Sequence, residues 1–355
     1  MNTLVLSPTN EAHEPPEARG LARDGVRLLV SRGDREPVDT TFRQIGTFLV
    51  PGDLLVVNTT ATIPAALDGR LRDGEPVIVH LSGTLPGEVW LVEVRRPDHG
   101  ATVPLPLDDP TDVALLGGGR IRLLAPFANS RRLWLARLDV GLPVLDYAAV
   151  HGRPIRYRHV PHEWPLSQYQ TVFARDPGSA EMPSASRPFS HELVTELVGR
   201  GVLIVPLLLH TGVSSLEGGE APYPERYRVP GTTAAAVNAI RRGGGRVIAA
   251  GTTVVRALAT VTDSHGVVHP GQGWTDVVVS PGHPVLSVEG LLTGWHEPES
   301  SHLQMLEAFA GPEPLGAAYG LALELGYLWH EFGDSHLILR DSPSWDRDGT
   351  VRGPR

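Results

Sequence analysis

The sequence predicts an α/β fold in which a mostly parallel sheet with flanking helices is interrupted by an inserted antiparallel β domain. Three observations carry this. From about residue 158 onward, buried strand-like runs alternate with amphipathic helical runs, the pattern of a parallel sheet covered by helices. Between about residues 68 and 146 the texture is different. Short β-rich runs recur roughly every ten residues, several alternating apolar and polar, as in a small barrel or sandwich. Finally, 355 residues at ~150 per domain suggest two domains, and 41% hydrophobic residues suffice for two cores. The resulting division is a flexible tail at 1–20, a discontinuous α/β domain at 21–67 and 155–340, an inserted β domain at 68–154, and a flexible tail at 341–355.

Each element has a local reason. Residues 1–20 are rich in Pro, Glu and Asn, and the last fifteen read the same way, so neither end carries enough apolar side chains to pack. VRLLV at 26–30 is an apolar strand, and the Pro51-Gly52-Asp53 turn leads into a buried strand at 54–57. GRLRDG, EPVIVHLSG, EVWLVEVRR, GGGRIRLLA and SRRLWLARLDV supply the β domain. SHELVTELVGRG is a helix with Ser190 as N-cap and Gly201 at its end. VLIVPLLLH is a buried strand, TTAAAVNAIRRGGG a helix with a glycine stop, RVIAAG a strand, and TTVVRALATV a helix starting directly after it. WTDVVVS reads as a further strand, and HLQMLEAFAG and LGAAYGLALELGY as the last helices.

Composition excludes several chemistries. All 31 basic residues are arginine, and there is neither lysine nor cysteine. Lysine Schiff bases, the P-loop lysine, thiol nucleophiles, disulfides and cysteine-ligated metals are therefore ruled out. The net charge of −9 argues against a broad electrostatic grip on nucleic acid, while leaving room for a local arginine patch. No run approaches the ~18 apolar residues of a membrane span, and the start lacks signal-peptide order, so a cytoplasmic protein without membrane attachment is expected. His265 and His269 are four apart but lie among Gly and Pro in a turn, a poor zinc pattern.

The junction RVIAAGTTVVRAL is the most informative. A strand ends, Gly251 turns, and Thr252 and Thr253 open a helix whose N–H groups face the strand end, with Arg256 one turn in. In GLLTGWHEPESSHLQML, Trp295, His296, Glu297 and Glu299 lie in a Gly/Pro-interrupted loop before a helix capped by Ser300 or Ser301, where aromatic, imidazole and carboxylate groups suit a nucleoside and its cationic substituent. His210 ends a buried strand, and Glu225 and Asp276 add carboxylates suited to acid/base work. HEFGDSH contributes Glu331, Asp334 and His336 of the same chemical kind.

In order, PGDLLVVNTTATIPAAL, QYQTVFARDPGSAEMPSA, LLLHTGVSS, ERY, GRVIAAGTTVVRAL, TDVVVSPGHP and VEGLLTGWHEPESSHLQMLEAFAG, followed by AYGLAL and EFGDSHLIL, resemble the S-adenosylmethionine:tRNA ribosyltransferase-isomerase family (QueA) of queuosine biosynthesis. The resemblance runs from about Arg27 to Leu339 and implies an α/β domain with a six-stranded β-barrel inserted. It also implies transfer and isomerisation of the ribosyl moiety of S-adenosylmethionine onto 7-aminomethyl-7-deazaguanine in tRNA. Epoxyqueuosine forms, adenine and methionine leave, and the only small-molecule requirement is S-adenosylmethionine as donor substrate, with no cofactor. On this resemblance Gly251, Thr252, Thr253 and Arg256 would anchor the donor, with His296 and Ser300 lining the same cleft. His210, Glu225 and Asp276 would supply acid/base and hydrogen-bonding groups.

The chain also departs from the family pattern. Thr59 stands for an aspartate, Ala61 and Ala66 for arginines, Arg187 for a leucine, Pro188 and Tyr223 for histidines, and Glu299 for a lysine. Fewer cations mean fewer phosphate contacts. Two alternatives follow: a paralogue with a non-tRNA acceptor such as a small nucleoside, and a non-catalytic nucleoside- or RNA-binding module. Product formation separates the module from the enzymes. Charge separates the two acceptors: without an arginine-lined surface beside the cleft tRNA is disfavoured, and Arg70, Arg72, Arg95, Arg96, Arg131 and Arg132 are the β-domain residues that would form one.

Overall fold

In the computed structural model, the described residues are 8–127, 130, 132–213, 223–281, 285–296 and 301–340. The chain opens with β1 (Arg27–Arg32), β2 (Val38–Thr41), β3 (Leu54–Asn58) and the short β4 (Thr60–Thr62). Seven antiparallel strands follow: β5 (Ala66–Arg70), β6 (Pro76–Leu85), β7 (Val89–Asp98), β8 (Ala101–Pro104), β9 (Asp112–Leu115), β10 (Arg120–Pro126) and β11 (Leu133–Asp139). Then come α1 (Val144–His151), β12 (Asp176–Ser179), α2 (His191–Gly199), β13 (Leu203–Leu209), β14 (Glu225–Val229), α3 (Gly231–Arg242), β15 (Val247–Ala250) and α4 (Thr252–Thr260). The last elements are β16 (Gly271–Thr275), β17 (Gly290–Gly294), α5 (Ser301–Ala310), α6 (Pro312–Glu324) and β18 (Ser335–Leu339).

Nine strands form one sheet in the order β16-β14-β13-β3-β15-β17-β18-β1-β2. The central strands are apolar on both faces because both faces are covered. Leu54 and Val56 pack with the side chains of α3 to α6, while Leu55 and Val57 pack with Phe189, Leu193 and Leu197 around α2. β13, β3, β15 and β17 are mutually parallel, as the strand–helix alternation implies. The sheet as a whole is mixed: β17–β18, β1–β2, β13–β14 and β14–β16 are antiparallel.

The second sheet runs β11-β10-β9-β5-β6-β7, and β7 pairs back to β11, so six strands close a ring; β8 pairs with the last residues of β7, Arg95–Asp98, beyond its contacts with β11. Its interior holds Val79, Leu81, Val92, Ile121 and Trp134. Gly69 permits the tight β5–β9 approach, since a Cβ there would lie 2.6 Å from Val113.

Two sequence expectations are corrected. WTDVVVS is not a strand. The strand is GQGWT, at Gly271–Thr275, paired over five positions with β14; beyond it Val279 is buried and Val278 exposed, outside any ladder. The other correction concerns the N-terminal tail, whose described part, 8–20, is fixed to the body. Ala12 is buried with Tyr169 and Phe332, Ala12 N–H donates to Trp329, and Glu17 pairs with Arg187 at 2.9 Å. Its few apolar groups meet a ready-made surface, which composition alone does not reveal. Residues 1–7 and 341–355 lie outside the described residues.

Candidate active site

The parallel strands β3, β13, β15 and β17 end on the same edge of the sheet, the edge where open α/β sheets bind ligands. At these ends lie Asn58, His210, Gly251–Thr253 and Gly294–His296. Asn58 is fully buried and clamps two of the ends together. Its amide donates to Leu209 C=O (2.8 Å) and Thr253 Oγ1 (3.3 Å), and its Oδ1 accepts from Leu209 N–H and Thr60 N–H. All its polar capacity is thereby used, as a buried amide requires.

β4 and β12 pair in parallel and bring Thr60 beside Ser179. Thr60 Oγ1 hydrogen-bonds Ser179 Oγ (2.7 Å) and His210 Nδ1 (2.8 Å), while Ser179 Oγ accepts Thr211 N–H (2.8 Å). Gly178 makes room for the imidazole, because a Cβ there would lie 2.6 to 2.8 Å from three ring atoms of His210. Burial, followed by the nearby Arg226 and Arg228 guanidiniums, lowers the His210 pKa to about 4 against the opposing pull of Asp176. His210 is therefore a neutral imidazole at physiological pH.

Glu225 and Arg256 face each other and form an ion pair; each side chain is 13% exposed. Glu225 also accepts Gly212 N–H (2.9 Å), and Arg256 donates to the carbonyls of Val277 (3.1 Å) and Thr275 (3.4 Å). Arg256 thus ties α4 to the antiparallel pair of β14 and β16. Asp276 follows directly on β16 and is exposed. His296 is within 3.4 Å of Thr293 Oγ1 at the end of β17. Ser300 lies outside the described residues.

The segment 183–188 packs over these strand ends: a Cβ on Gly251 would meet Ala185 at 3.5 Å, and one on Gly294 would meet Ser184 at 3.9 Å. Arg187, 2% exposed, holds the segment from below through Glu17 and Gln168. Pro188 shares a narrow cleft with Ser184, Gly294, His330 and Glu331. Sequence reasoning missed Thr60, Ser179 and Thr211. Their roles depend on the β4–β12 pairing, which two short Thr- and Pro-containing segments do not announce.

Other candidates are structural. His336 is buried in β18, stacked on Trp295 and hydrogen-bonded to Ser31 Oγ (2.8 Å). Asp334 accepts Arg27 N–H and Leu328 N–H, and Glu331 pairs with His159 (2.7 Å). His269 pairs with Asp263 (2.8 Å). In the β domain, Arg95 and Arg132 turn inward to Glu93, while Arg72 and Arg96 pair with Asp112 and Glu75. Arg70 donates to Gly74 C=O, and Arg131 lies outside the described residues. The expected arginine surface on the barrel is thus largely neutralised by its own acids; Glu93 and Arg95 are two apart on one strand, while Asp112, Glu75 and Glu93 meet Arg72, Arg96 and Arg132 only through the fold.

A family model described as queuosine biosynthesis protein matches residues 4–338. A protein of Moorella thermoacetica named S-adenosylmethionine:tRNA ribosyltransferase-isomerase is 35% identical over 356 residues, covering 94% of this chain and 97% of its own. A Geobacter sulfurreducens protein of the same name is 34% identical, covering 92% and 98%. Among solved structures, the S-adenosylmethionine tRNA ribosyltransferase of Thermotoga maritima superposes with a TM-score of 0.52 at 27% identity, covering 95% of this chain and 99% of that one.

Proposed function

The chain belongs to the queuosine biosynthesis protein family, and we infer from that membership that it is an S-adenosylmethionine:tRNA ribosyltransferase-isomerase. It moves the ribosyl moiety of S-adenosylmethionine onto the aminomethyl group of 7-aminomethyl-7-deazaguanine in tRNA. Epoxyqueuosine forms, and adenine and methionine are released. The observation that carries the reading at the level of residues is the convergence of Asn58, Thr60, Ser179 and His210 with Gly251–Thr253 at one set of strand ends.

In this reading the α4 start, Gly251–Thr253, holds a polar end of the donor, and His296 borders the same cleft. The donor's sulfonium acidifies the adjacent ribose 5′ C–H. With His210 Nδ1 donating to Thr60, and Thr60 in turn donating to Ser179, Nε2 carries the lone pair that accepts that proton. A cationic donor reinforces the neutral imidazole that burial already favours. Arg256 and Glu225 act on the donor site indirectly, by fixing α4 against β14 and β16, and Asp276 supplies an exposed carboxylate at its rim. The donor brings its own activated carbon, so S-adenosylmethionine enters as a substrate and the chemistry calls for no separate cofactor. No helix among the described residues is long and apolar enough to cross a membrane, and we place the reaction in the cytoplasm with its tRNA.

The test is a mass-spectrometric assay with S-adenosylmethionine and tRNA carrying 7-aminomethyl-7-deazaguanine. Epoxyqueuosine, adenine and methionine are expected in equal amounts, and His210→Asn should lower kcat by at least about a hundredfold. Adenine and methionine released with no change in the tRNA would overturn the acceptor assignment.

A further inference from the structure

We propose that the exposed face of the antiparallel β14–β16 pair is the surface that holds unpaired RNA beside the site. This rests on the reading above that the acceptor base is carried by tRNA, and it names the surface that reading leaves open. The pair is one edge of the nine-stranded sheet. Register places Arg226 opposite Trp274 and Arg228 opposite Gln272, and all four are exposed. Neighbours across an antiparallel ladder share a face, so two guanidiniums, an indole and an amide form one block. The block runs inward to the site, since His210 N–H donates to Arg226 C=O and Arg228 is the register partner of Leu208.

The chemistry of the block matches unpaired RNA. Trp274 is 40% exposed, and its Nε1–H is bound to Thr84 C=O (2.9 Å) on β6, which fixes the ring edge and leaves the indole available for stacking. Aromatic platforms flanked by arginine are how single strands are held, with phosphates on the guanidiniums and bases on the ring. Arg226 has no side-chain hydrogen bond or ion pair among the described residues. Arg228 is 3.4 Å from Asp176 and half exposed, and Arg175 is exposed one residue earlier. Asp176 and Asp276 are the acids bordering the block. On the barrel, by contrast, Arg95 and Arg132 share Glu93, Arg72 and Arg122 share Asp112, Arg96 pairs with Glu75 and Arg70 folds onto the backbone. The same guanidiniums that face outward to RNA help hold His210 neutral, so bound phosphates would change the field at the imidazole.

Binding of the acceptor tRNA, measured by fluorescence anisotropy between 50 and 200 mM KCl, tests the assignment. Each phosphate contact on single-stranded nucleic acid contributes ~0.7 to the slope of log K against log salt. Arg226→Ala/Arg228→Ala should therefore lose about 1.4 of that slope and raise the KM for tRNA, with unchanged affinity for S-adenosylmethionine and unchanged thermal melting. Trp274→Ala should weaken tRNA binding about 5- to 150-fold without changing the slope. Arg72→Ala/Arg96→Ala on the barrel should leave both readouts as in the wild type. A salt-sensitive wild type beside a double variant of equal slope overturns this assignment alone, as does a slope lost only in the barrel variant. A wild type that binds no tRNA at any salt overturns both the assignment and the function on which it rests.

Discussion

His210 shows how much a single position depends on its neighbours. Its ring lies over Gly178 with Nδ1 held by Thr60, and burial with Arg226 and Arg228 depresses its pKa to about 4. Nothing in LLLHTGVSS distinguishes this imidazole from His336, which lies in a strand buried along its length and stacks on Trp295. A strand-end histidine was legible in the sequence; its contact with a glycine 32 residues earlier was not, because that contact is set by the β4–β12 pairing. Gly178→Ala gives a sharp test. The new methyl would sit about 2.6 Å from the ring, so the imidazole must move. Misplacing a catalytic group by about 1 Å costs on the order of 10²-fold in rate, so kcat should fall by about that factor, and the positive φ of Gly178 adds backbone strain that lowers the melting temperature as well. A variant of wild-type kcat would show that the ring position does not matter to the reaction.

At the scale of elements, apolar runs were the dependable signal. LLVVN, VIAA and SHLIL are buried at every position or nearly so, and the helix that Ser190 caps begins where the capping pattern puts it, with Ser190 Oγ accepting Leu193 N–H. β16 was illegible for the opposite reason. Gly271, Gln272 and Gly273 have little intrinsic strand preference, and they are extended because β14 offers five paired positions. What fixes that strand pair to α4 is the Glu225–Arg256 ion pair, in which each residue also holds backbone groups. Two residues chosen from the sequence as independent site candidates are thus one structural joint. Removing one member of a buried pair strands the other, typically at 3–5 kcal/mol. Glu225→Gln should accordingly lower the unfolding free energy in urea by about 3 kcal/mol, and adding Arg256→Met should restore part of it. Full stability in Glu225→Gln would assign the carboxylate to chemistry alone.

For the whole molecule, buried imidazoles in both sheets make stability a function of pH. His80 lies in the barrel wall at 3% exposure and His336 in the large sheet at 1%. Burial lowers both to about 3, with Arg95 adding to the effect at His80. His210, just past the end of β13, is lowered to about 4. An unfolded histidine titrates near 6.5. Between pH 6.5 and these native values the unfolded chain binds more protons than the folded one, so stability rises with pH and is lost on acidification. It is complete above about pH 7 and declines below 6.5, well before most carboxylates titrate. Each fully buried site contributes at most ~1.4 kcal/mol per pH unit in that window, or about 2 kcal/mol between pH 6.5 and 5 for His80 and again for His336. Urea midpoints should therefore fall steadily from pH 7 to pH 5. The variant His80→Gln/His336→Gln, whatever its stability at pH 7, should show a flatter dependence over the same range. The comparison isolates the imidazoles, because the lowered carboxylates of Glu17 and Glu331 titrate only below this window and remain in both proteins. A midpoint independent of pH in the wild type would mean that these histidines find water or a proton acceptor in the folded state. The buried surfaces of both sheets would then be more open than their packing indicates.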